Sequence, residues 1–336
     1  MGRPGQERER VSAEHLLPTL LNPGILFFLL GLVASLLRSN LTIPEPVLKF
    51  VSLYLMLSIG FKGGVSLYES TLAGPGLWAI GFVLFMSAVV PVYAFLLLRK
   101  RFGAADAAAI GATFGSNSTL TYITAVGFLS AVGASWGGYM TVALVVMETP
   151  AVILGILLAR GVGRGHSRMG RARLYVVLRR AVTDGTLMVL VGSLVIGYLM
   201  VALGEDASPL NAFIAGDMFT GMLIFFLLYM GTVVGKELRS MARFPWQLMA
   251  FSFGAPVVNA ALAFGFSRLV GLEAGDAYLL MILCASASYI VAPVILREGL
   301  PEASPGRYLA MSIGFAFPFN IVLGIPVYWW VVSTWL

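Results

Sequence analysis

Long apolar segments follow one another along almost the whole chain and leave little sequence between them. A transmembrane helix needs about 20 mainly apolar residues. Ten segments meet this length, with approximate edges at 20–38, 46–64, 76–98, 106–133, 136–160, 185–204, 210–235, 246–270, 275–297 and 306–335. Only 11% of the residues are charged, whereas soluble domains carry about 25%. The sequence therefore predicts an all-α integral membrane protein with ten transmembrane helices.

The basic residues test this count, because Lys and Arg collect in short cytoplasmic loops. With connections on alternating sides, 17 of the 22 basic residues fall on one side and 5 on the other. The larger group comprises Arg38, Lys49, Arg99, Lys100, Arg101, Arg160, Arg164, Arg168, Arg171, Arg173, Arg179, Arg180, Lys236, Arg239, Arg243, Arg297 and Arg307. The smaller group comprises Arg3, Arg8, Arg10, Lys62 and Arg268. A wrong number of spans would scramble this asymmetry. We therefore expect a multi-pass protein of the inner (plasma) membrane with both termini outside the cytoplasm.

Four regions follow from the segment edges and the loop charges. Residues 1–19 are an extracytoplasmic N-terminal segment, without the cleavage pattern of a signal peptide. Residues 20–160 and 185–336 each hold five spans, and residues 161–184 form a basic cytoplasmic linker between them. The linker could contact anionic lipid in the bilayer, and we do not expect nucleic acid as a partner.

The two halves of the chain resemble each other at an offset of about 170 residues. The matched stretches are AADA (104–107) with AGDA (274–277), GSNS (115–118) with ASAS (285–288), IGFKGGVSL (59–67) with MGTVVGKEL (230–238), and VILGI (152–156) with IVLGI (321–325). Each unit holds an odd number of spans, so the second unit must enter the membrane from the opposite face. Inverted repeats are typical of secondary transporters, whose sites lie near the membrane midplane where interrupted helices meet.

Polar residues concentrate at 115–119 in the fourth span, and a thinner copy of this cluster lies at 285–288 in the ninth. These residue types have weak helix propensity or favour caps and turns, which predicts that helices 4 and 9 are broken. A half-helix N-terminus offers free N–H groups to an anion. The predicted substrate-binding residues are Gly115, Ser116, Asn117, Ser118, Thr119, Ser286 and Ser288. The structural alternative is that small and hydroxylated residues only pack between helices.

Glu148 lies in the middle of the fifth span, twelve residues from either end. A carboxylate inside the membrane is a functional candidate by default, and no Lys or Arg lies at a span centre to pair with it. Pro150 would free a backbone carbonyl nearby. We expect Glu148 to bind a coupling Na⁺, with oxygens of Asn117, Asn320 and Ser286 as further sodium ligands. No other metal is expected.

Several other positions favour structural roles. The aspartates near predicted helix starts are expected to act as caps, and they are Asp106, Asp217 and Asp276. Lys62, at the end of the second span, is expected to extend its ammonium to the surface. The G-x-x-x-G runs at 60–64 and 231–235 are expected to allow close helix packing.

Five motifs occur in order along both halves. They are IGFKGGVSLY (59–68), FGSNSTLTYITAVGFL (114–129), METPA (147–151), ASASYIVAP (285–293) and GFAFPFNIVLGIPVY (314–328). Together they resemble the sodium-dependent bicarbonate transporter family. The resemblance implies uptake of bicarbonate, or a similar small anion, coupled to Na⁺ and without an organic cofactor. It also implies two inverted five-helix repeats arranged as a core and a gate domain, a homotrimer, and in some members a PII-like regulatory protein on the cytoplasmic side.

Position by position, the resemblance points to a small set of residues. They are the stretch 115–119, Glu148, Pro150, Ser286, Ser288 and Asn320. One position departs from what the resemblance leads us to expect, because Tyr229 stands where an acidic residue is anticipated.

Two other functions remain open. A proton-coupled carrier or exporter of another small anion could use Glu148 as its proton site, and a sensor that does not transport could retain the fold. A membrane enzyme is disfavoured, because Ser118 and Ser286 have no intramembrane His or Lys as a base.

Overall fold

The protein is described by a computed structural model over residues 22–41, 43–69, 74–162, 183–205, 216–240 and 244–336, together with positions 179, 210 and 214. Within these residues the chain is helical and contains no strand. The helices are α1 Pro23–Leu36, α2 Glu45–Glu69, α3 Pro75–Phe102, α4 Ala104–Gly115, α5 Thr119–Ala131, α6 Tyr139–Glu148, α7 Pro150–Val162, α8 Gly185–Ala202, α9 Asp217–Ser240, α10 Trp246–Val270, α11 Ala274–Ala285, α12 Val291–Gly299 and α13 Pro305–Trp335.

Seven of the described helices are long and apolar enough to cross a membrane. They are α2, α3, α6 continued through α7, α8, α9, α10 and α13. Helices α1 and α11 are also apolar but shorter. The predicted class of all-α integral membrane protein is therefore confirmed.

The last helix, α13, contains two π-helical stretches. Residues Ala310–Ala316 and Asn320–Gly324 are π-helical, and Phe317–Phe319 between them is α-helical. The residue at 318 is a proline, which removes one backbone donor from the helix. Short π-helical turns are frequent at functional sites, and Asn320 lies in the second of these.

Two helix pairs pack through glycines at backbone contact distance. In α2, a Cβ atom on Gly64 would collide with the carbonyl oxygen of Leu194 in α8. In α9, a Cβ atom on Gly231 would collide with the carbonyl oxygen of Phe28 in α1. Small residues permit this approach in membranes, where van der Waals packing drives helix association. The predicted packing role of the G-x-x-x-G runs is confirmed.

The remaining helices surround α4 and α11. Helix α3 lies against α4, α6 and α7, and α10 lies against α11 and α13. Pro91 inside α3 packs directly on α4, because a Cβ atom on Gly115 would lie 2.5 Å from the Pro91 Cδ. This contact accounts for a glycine at the last residue of α4.

Two aspartates at helix starts link separate helices, so the prediction that they cap their own helices is wrong. Asp106 near the start of α4 accepts from the Ser304 backbone N–H at 2.6 Å and pairs with Arg307 of α13. Asp276 near the start of α11 accepts from the Gly137 backbone N–H at 2.7 Å. It also accepts from the hydroxyl of Tyr139 in α6. Each carboxylate ties one half of the chain to the other.

One predicted region lies wholly, and another partly, outside the residues that the structure describes. The N-terminal segment 1–19 lies outside the described residues. So do positions 163–178 and 180–182 of the predicted basic linker.

Candidate functional site

The first polar cluster forms a non-helical junction between α4 and α5. Helix α4 ends at Gly115, and α5 begins at Thr119. Ser118 is the N-cap of α5, and its Oγ accepts from the Thr121 backbone N–H at 3.2 Å and from the Thr121 hydroxyl at 2.9 Å. Ser116 is extended, with φ −84° and ψ 171°. The cap satisfies one of the donors that a helix start leaves free.

A second junction of the same kind separates α11 from α12. Helix α11 ends at Ala285, and α12 begins at Val291. Ser286 is extended, with φ −81° and ψ 163°, close to the values at Ser116. The Ser288 Oγ accepts from the backbone N–H of Ala292 at 3.2 Å. A serine therefore supports the start of each second half-helix.

The two junctions are in direct contact. The Ser118 backbone N–H donates to the Ser286 Oγ at 2.9 Å, and the Ser288 backbone N–H donates to the Thr113 carbonyl at 2.9 Å. Ser286 in turn donates to the Leu283 carbonyl at 3.1 Å. Each junction thus gives one backbone donor to the other broken segment, although the two junctions are about 170 residues apart in sequence. The starts of α5 and α12 are held close together.

Glu148 lies at the end of α6 and is 4% exposed. Pro150 begins α7 and has no N–H, so the helix is interrupted here. The Val152 backbone N–H donates to the Thr149 carbonyl at 3.1 Å, one residue closer than in a regular α-helix. The backbone carbonyl of Glu148 therefore accepts no hydrogen bond from Val152. It accepts one from the Ser116 Oγ instead, at 2.9 Å. The interruption therefore anchors the first junction to α6.

Asn117 points an unsatisfied acceptor into the same region. Its Nδ2 donates to the Leu144 carbonyl of α6 at 2.7 Å, which fixes the orientation of the amide. Its Oδ1 is buried and has no hydrogen-bond donor within reach in the described part of the chain. A buried acceptor without a partner is costly. A cation that prefers oxygen ligands would satisfy this oxygen.

Glu148 and the two junctions border a small cavity. The lining residues are Met56, Asn117, Ser118, Thr119, Leu120, Glu148, Thr186, Ser288, Tyr289, Ile290 and Val291. Its volume is about 20 Å³, and a cavity must have roughly 10–15 Å³ to hold one water molecule. The site therefore has room for one species of about that size, such as an ion without its hydration shell.

The lining chemistry suits ions of both signs at adjacent positions. The carboxylate of Glu148 and the free Oδ1 of Asn117 are ligands for a hard cation. The starts of α5 and α12 present backbone N–H groups and the positive ends of two helix dipoles. No lysine or arginine is among the lining residues that the structure describes. A bound cation would therefore be the counter-charge for Glu148.

Comparison with known proteins identifies the family. The family model of the Na⁺-dependent bicarbonate transporter superfamily matches residues 23–333. The chain belongs to this superfamily. This match confirms the family resemblance that the five sequence motifs indicate. Comparison with curated proteins gives no match.

Membership in the Na⁺-dependent bicarbonate transporter superfamily decides the general class of function. The matched range runs from the start of α1 almost to the end of α13. The chain is a multi-pass membrane protein of a transporter superfamily. The superfamily's name gives Na⁺ as the coupling ion and bicarbonate as the substrate.

The predicted site residues of this superfamily member occupy three kinds of position. Those that line the cavity are Asn117, Ser118, Thr119, Glu148 and Ser288. Ser116 and Ser286 lie behind the cavity and connect its walls. Asn320 also lies behind it, because its Nδ2 donates to the Ala285 carbonyl at 2.9 Å and to the Ala316 carbonyl at 3.0 Å. Gly115 packs against Pro91 instead of lining the cavity.

The structure adds cavity residues that sequence reasoning missed. Met56 of α2 and Thr186 of α8 close one side of the cavity, and Tyr289 lies in the second junction. Met56 belongs to an ordinary apolar run, and Thr186 lies beside a helix cap at Asp184. Neither carries a local signal, because only the packing of α2 and α8 against the junctions brings them to the site.

Proposed function

We propose that this protein is a secondary active transporter that takes up bicarbonate, or a similar small anion, by symport with Na⁺. The observation that carries this proposal is the buried carboxylate of Glu148 beside two helix starts in one cavity. The cation ligands and the anion-binding groups are neighbours there. Binding of one ion would therefore change the affinity for the other.

The Na⁺ site is assigned to the carboxylate of Glu148 and the Oδ1 of Asn117. Burial of an unpaired charge is expensive, and in the described part of the chain no basic side chain lines the cavity. Ser286 and Asn320, predicted as sodium ligands, are assigned to hold the junctions in place through their hydrogen bonds. Ser118 and Thr119 add hydroxyl groups to the polar lining.

The anion is assigned to the helix starts at Thr119 and Val291. Glu148 repels it as long as its carboxylate is not neutralised. At a separation of about 5 Å and an effective dielectric constant of about 20, this repulsion is roughly 3 kcal/mol. Na⁺ binding removes that penalty, which provides a physical reason for coupling. Because a cavity of about 20 Å³ cannot hold both ions, Met56 and Thr186 would have to withdraw for anion binding.

Ten membrane crossings in two inverted repeats are part of the proposal. Helix α4 with α5, and α11 with α12, would each form one crossing that is broken at a junction. Helix pairs α2–α8 and α9–α1 pack through glycines that the internal alignment matches. Asp106 and Asp276, also matched, each tie a half-helix start to the other half of the chain. These paired features support a two-fold relation between the halves.

The same packing supports a division into a gate and a core. The gate would comprise α1, α2, α8 and α9, which pack pairwise through glycines. The core would comprise the remaining helices and would carry both junctions. Movement of the core against the gate would open the cavity on one side of the membrane and then on the other. The cavity residues Met56 and Thr186 belong to the gate, so this movement would uncover the ion sites.

The proposed orientation in the membrane rests on the loop charges, and the proposed assembly rests on the family resemblance. The excess of basic residues on one side supports outward termini in the inner (plasma) membrane. We include a homotrimer and a cytoplasmic PII-like regulatory protein in the proposal because the family resemblance implies them. The regulator would be a soluble protein that binds on the side of the basic linker.

Uptake of radiolabelled bicarbonate into proteoliposomes tests the function. The pH is held equal on both sides, an inward Na⁺ gradient is applied or omitted, and an acid quench separates bicarbonate from CO₂ that has leaked in. We expect accumulation only with the Na⁺ gradient. Folded protein without any Na⁺-driven uptake of bicarbonate would overturn the proposal, and a screen of other small anions would follow.

Proton coupling is the second candidate, because the burial of Glu148 also favours it. A proton neutralises this carboxylate as effectively as Na⁺ does, and it needs no further ligands. This version predicts uptake driven by an inward proton gradient in Na⁺-free buffer. The open Oδ1 of Asn117 does not separate the two versions, because it could accept from the O–H of a protonated carboxyl group or bind Na⁺.

A further inference from the structure

Lys62 is a half-buried cation of α2 that contacts the core. Its ammonium donates to the Oγ of Ser130, near the end of α5, at 3.3 Å. Among the described residues it has no carboxylate partner. The ammonium thus extends across to α5, where a neutral hydroxyl is its partner.

Ser130 belongs to the wall of a second cavity. This cavity lies between α1 and α9 on one side and α5 and α13 on the other, and its volume is about 310 Å³. We call it the outer cavity because the loop charges predict that this end of the helices faces away from the cytoplasm. Its polar lining residues are Asn22, Thr124, Ser130, Asp217 and Thr220. A water molecule occupies about 30 Å³ in the liquid, so the cavity has room for a small anion together with several waters.

The charges near the outer cavity favour an anion at the Ser130 end. Asp217 is the first residue of α9, where the positive end of the helix dipole offsets part of its charge. The charge of Lys62 is not offset by an acid among the described residues. Cavity walls of low polarity concentrate such a field and raise the local concentration of ions of the opposite sign.

We propose that Lys62 and Ser130 form an anion-capture site at the Ser130 end of the outer cavity, where Lys62 reaches the cavity wall through its contact with Ser130. The ligand class is a small monovalent oxyanion, held by one ammonium and one hydroxyl before it reaches the junctions. That this oxyanion is bicarbonate rests on the proposed function. Ser130 lies eleven residues after Thr119 along α5, which corresponds to about 16 Å. The capture site is therefore separate from the cavity at Glu148.

The site also connects anion arrival to the contact between gate and core. Helix α2 belongs to the proposed gate and α5 to the proposed core. An oxyanion that takes the ammonium of Lys62 replaces the hydrogen bond to Ser130. It thereby removes one polar contact that resists relative movement of the two parts.

Uptake kinetics in intact cells, where only the outer face meets the substrate, test the site. Lys62→Gln should raise the KM for external bicarbonate roughly tenfold, because the attracting charge is lost. The Na⁺ concentration for half-maximal uptake should not change. Lys62→Arg should restore the wild-type KM. Arg268→Gln, which removes an exposed cation predicted to lie on the same side, should have no effect. A wild-type KM in Lys62→Gln would overturn the inference.

Thiol labelling tests the site without transport. A Ser130→Cys variant is treated with a negatively charged or a positively charged methanethiosulfonate reagent. The native Cys284 is fully buried and should react little. We expect the anionic reagent to react faster, and Lys62→Gln in the same background to remove that preference. Equal rates in the presence of Lys62 would overturn the capture site. Loss of bicarbonate uptake in the wild-type protein, with the labelling preference intact, would overturn only the proposed function.

Discussion

At the scale of single residues, Glu148 has the most specific surroundings in the site. It is 4% exposed, it borders the cavity, and none of the described residues that line this cavity is basic. Its substitution by glutamine keeps the shape and removes the charge. We expect Glu148→Gln to lower Na⁺ affinity at least tenfold, or roughly 1.4 kcal/mol, and to abolish Na⁺-driven accumulation. Uptake at graded Na⁺ concentrations measures both effects.

Glu273→Gln provides the matched control for this substitution. Glu273 is an exposed carboxylate just before α11 and does not line the cavity, so its loss should leave the Na⁺ dependence unchanged. A Glu148→Gln variant that folds and retains wild-type Na⁺ dependence would rule out Glu148 as a sodium ligand.

The two matched aspartates should differ in their contribution to stability. Asp276 is 4% exposed and accepts from a backbone N–H and from Tyr139. Asp106 pairs with Arg307, whose side chain is 43% exposed and can turn to water. We expect Asp276→Ala to cost about 1–3 kcal/mol, the range for buried unsatisfied donors. Both substitutions leave one backbone donor unpaired, that of Gly137 or of Ser304. Asp106→Ala should cost less, because the second partner of Asp106 is the exposed Arg307 and such pairs contribute about 0–1 kcal/mol.

Thermal unfolding of both variants in the same detergent checks this order. A larger loss of melting temperature for Asp106→Ala would show that the link at α4 is the stronger of the two. Equal losses would show that the exposure of Arg307 does not weaken its pair.

The sequence predicts the polar residues of the site but not the apolar ones. Glu148 and Asn117 are recognisable because polar groups are expensive inside a membrane. Met56 and Thr186 are not, because their types are common in their helices and only the packing of α2 and α8 brings them to the cavity. The contact of Lys62 with Ser130 joins residues 68 positions apart and has no local pattern either.

At the scale of helices, apolar length predicts most edges well. The predicted span 246–270 matches α10, Trp246–Val270. The predicted span 210–235 differs from α9, which runs from Asp217 to Ser240. An aspartate is stabilised in the first turn of a helix, and Lys236 and Glu237 continue the helix beyond its apolar stretch. A helix can extend past the membrane, so hydropathy alone does not locate its end.

The glycine packing between α2 and α8 predicts how alanine substitutions in these two helices change the stability of the protein. A Cβ atom on Gly64 would collide with the carbonyl oxygen of Leu194, whereas nothing lies within 4 Å of a Cβ atom on Gly192 in α8. We expect Gly64→Ala to cost about 1–3 kcal/mol, as overpacking does. Gly192→Ala should be neutral or stabilising, because alanine has the higher helix propensity. The melting temperatures of the two variants in detergent measure this difference. Equal melting temperatures would show that α2 and α8 can move apart without a loss of stability.

At the scale of the whole molecule, the proposed gate and core make a prediction about movement. Gly63 of α2 and Thr141 of α6 lie on opposite sides of their boundary. A Cβ atom on Gly63 would be 2.7 Å from the Thr141 Cβ, and a disulfide needs about 3.8 Å. A shift of about 1 Å would therefore let a cysteine pair form a bridge. We expect Gly63→Cys with Thr141→Cys to stop bicarbonate uptake on oxidation and to recover it on reduction.

A cysteine pair within the gate serves as the control, because its disulfide does not cross the boundary between gate and core. A Cβ atom on Gly235 of α9 would be 2.6 Å from the Cβ of Ser35 in α1, so Ser35→Cys with Gly235→Cys has nearly the same geometry. Both members of this pair belong to the gate, and their bridge should leave uptake intact. If both bridges stop uptake, α1 and α9 must move against each other, and the division into gate and core is wrong. If neither bridge does so, transport does not require α2 to move past α6.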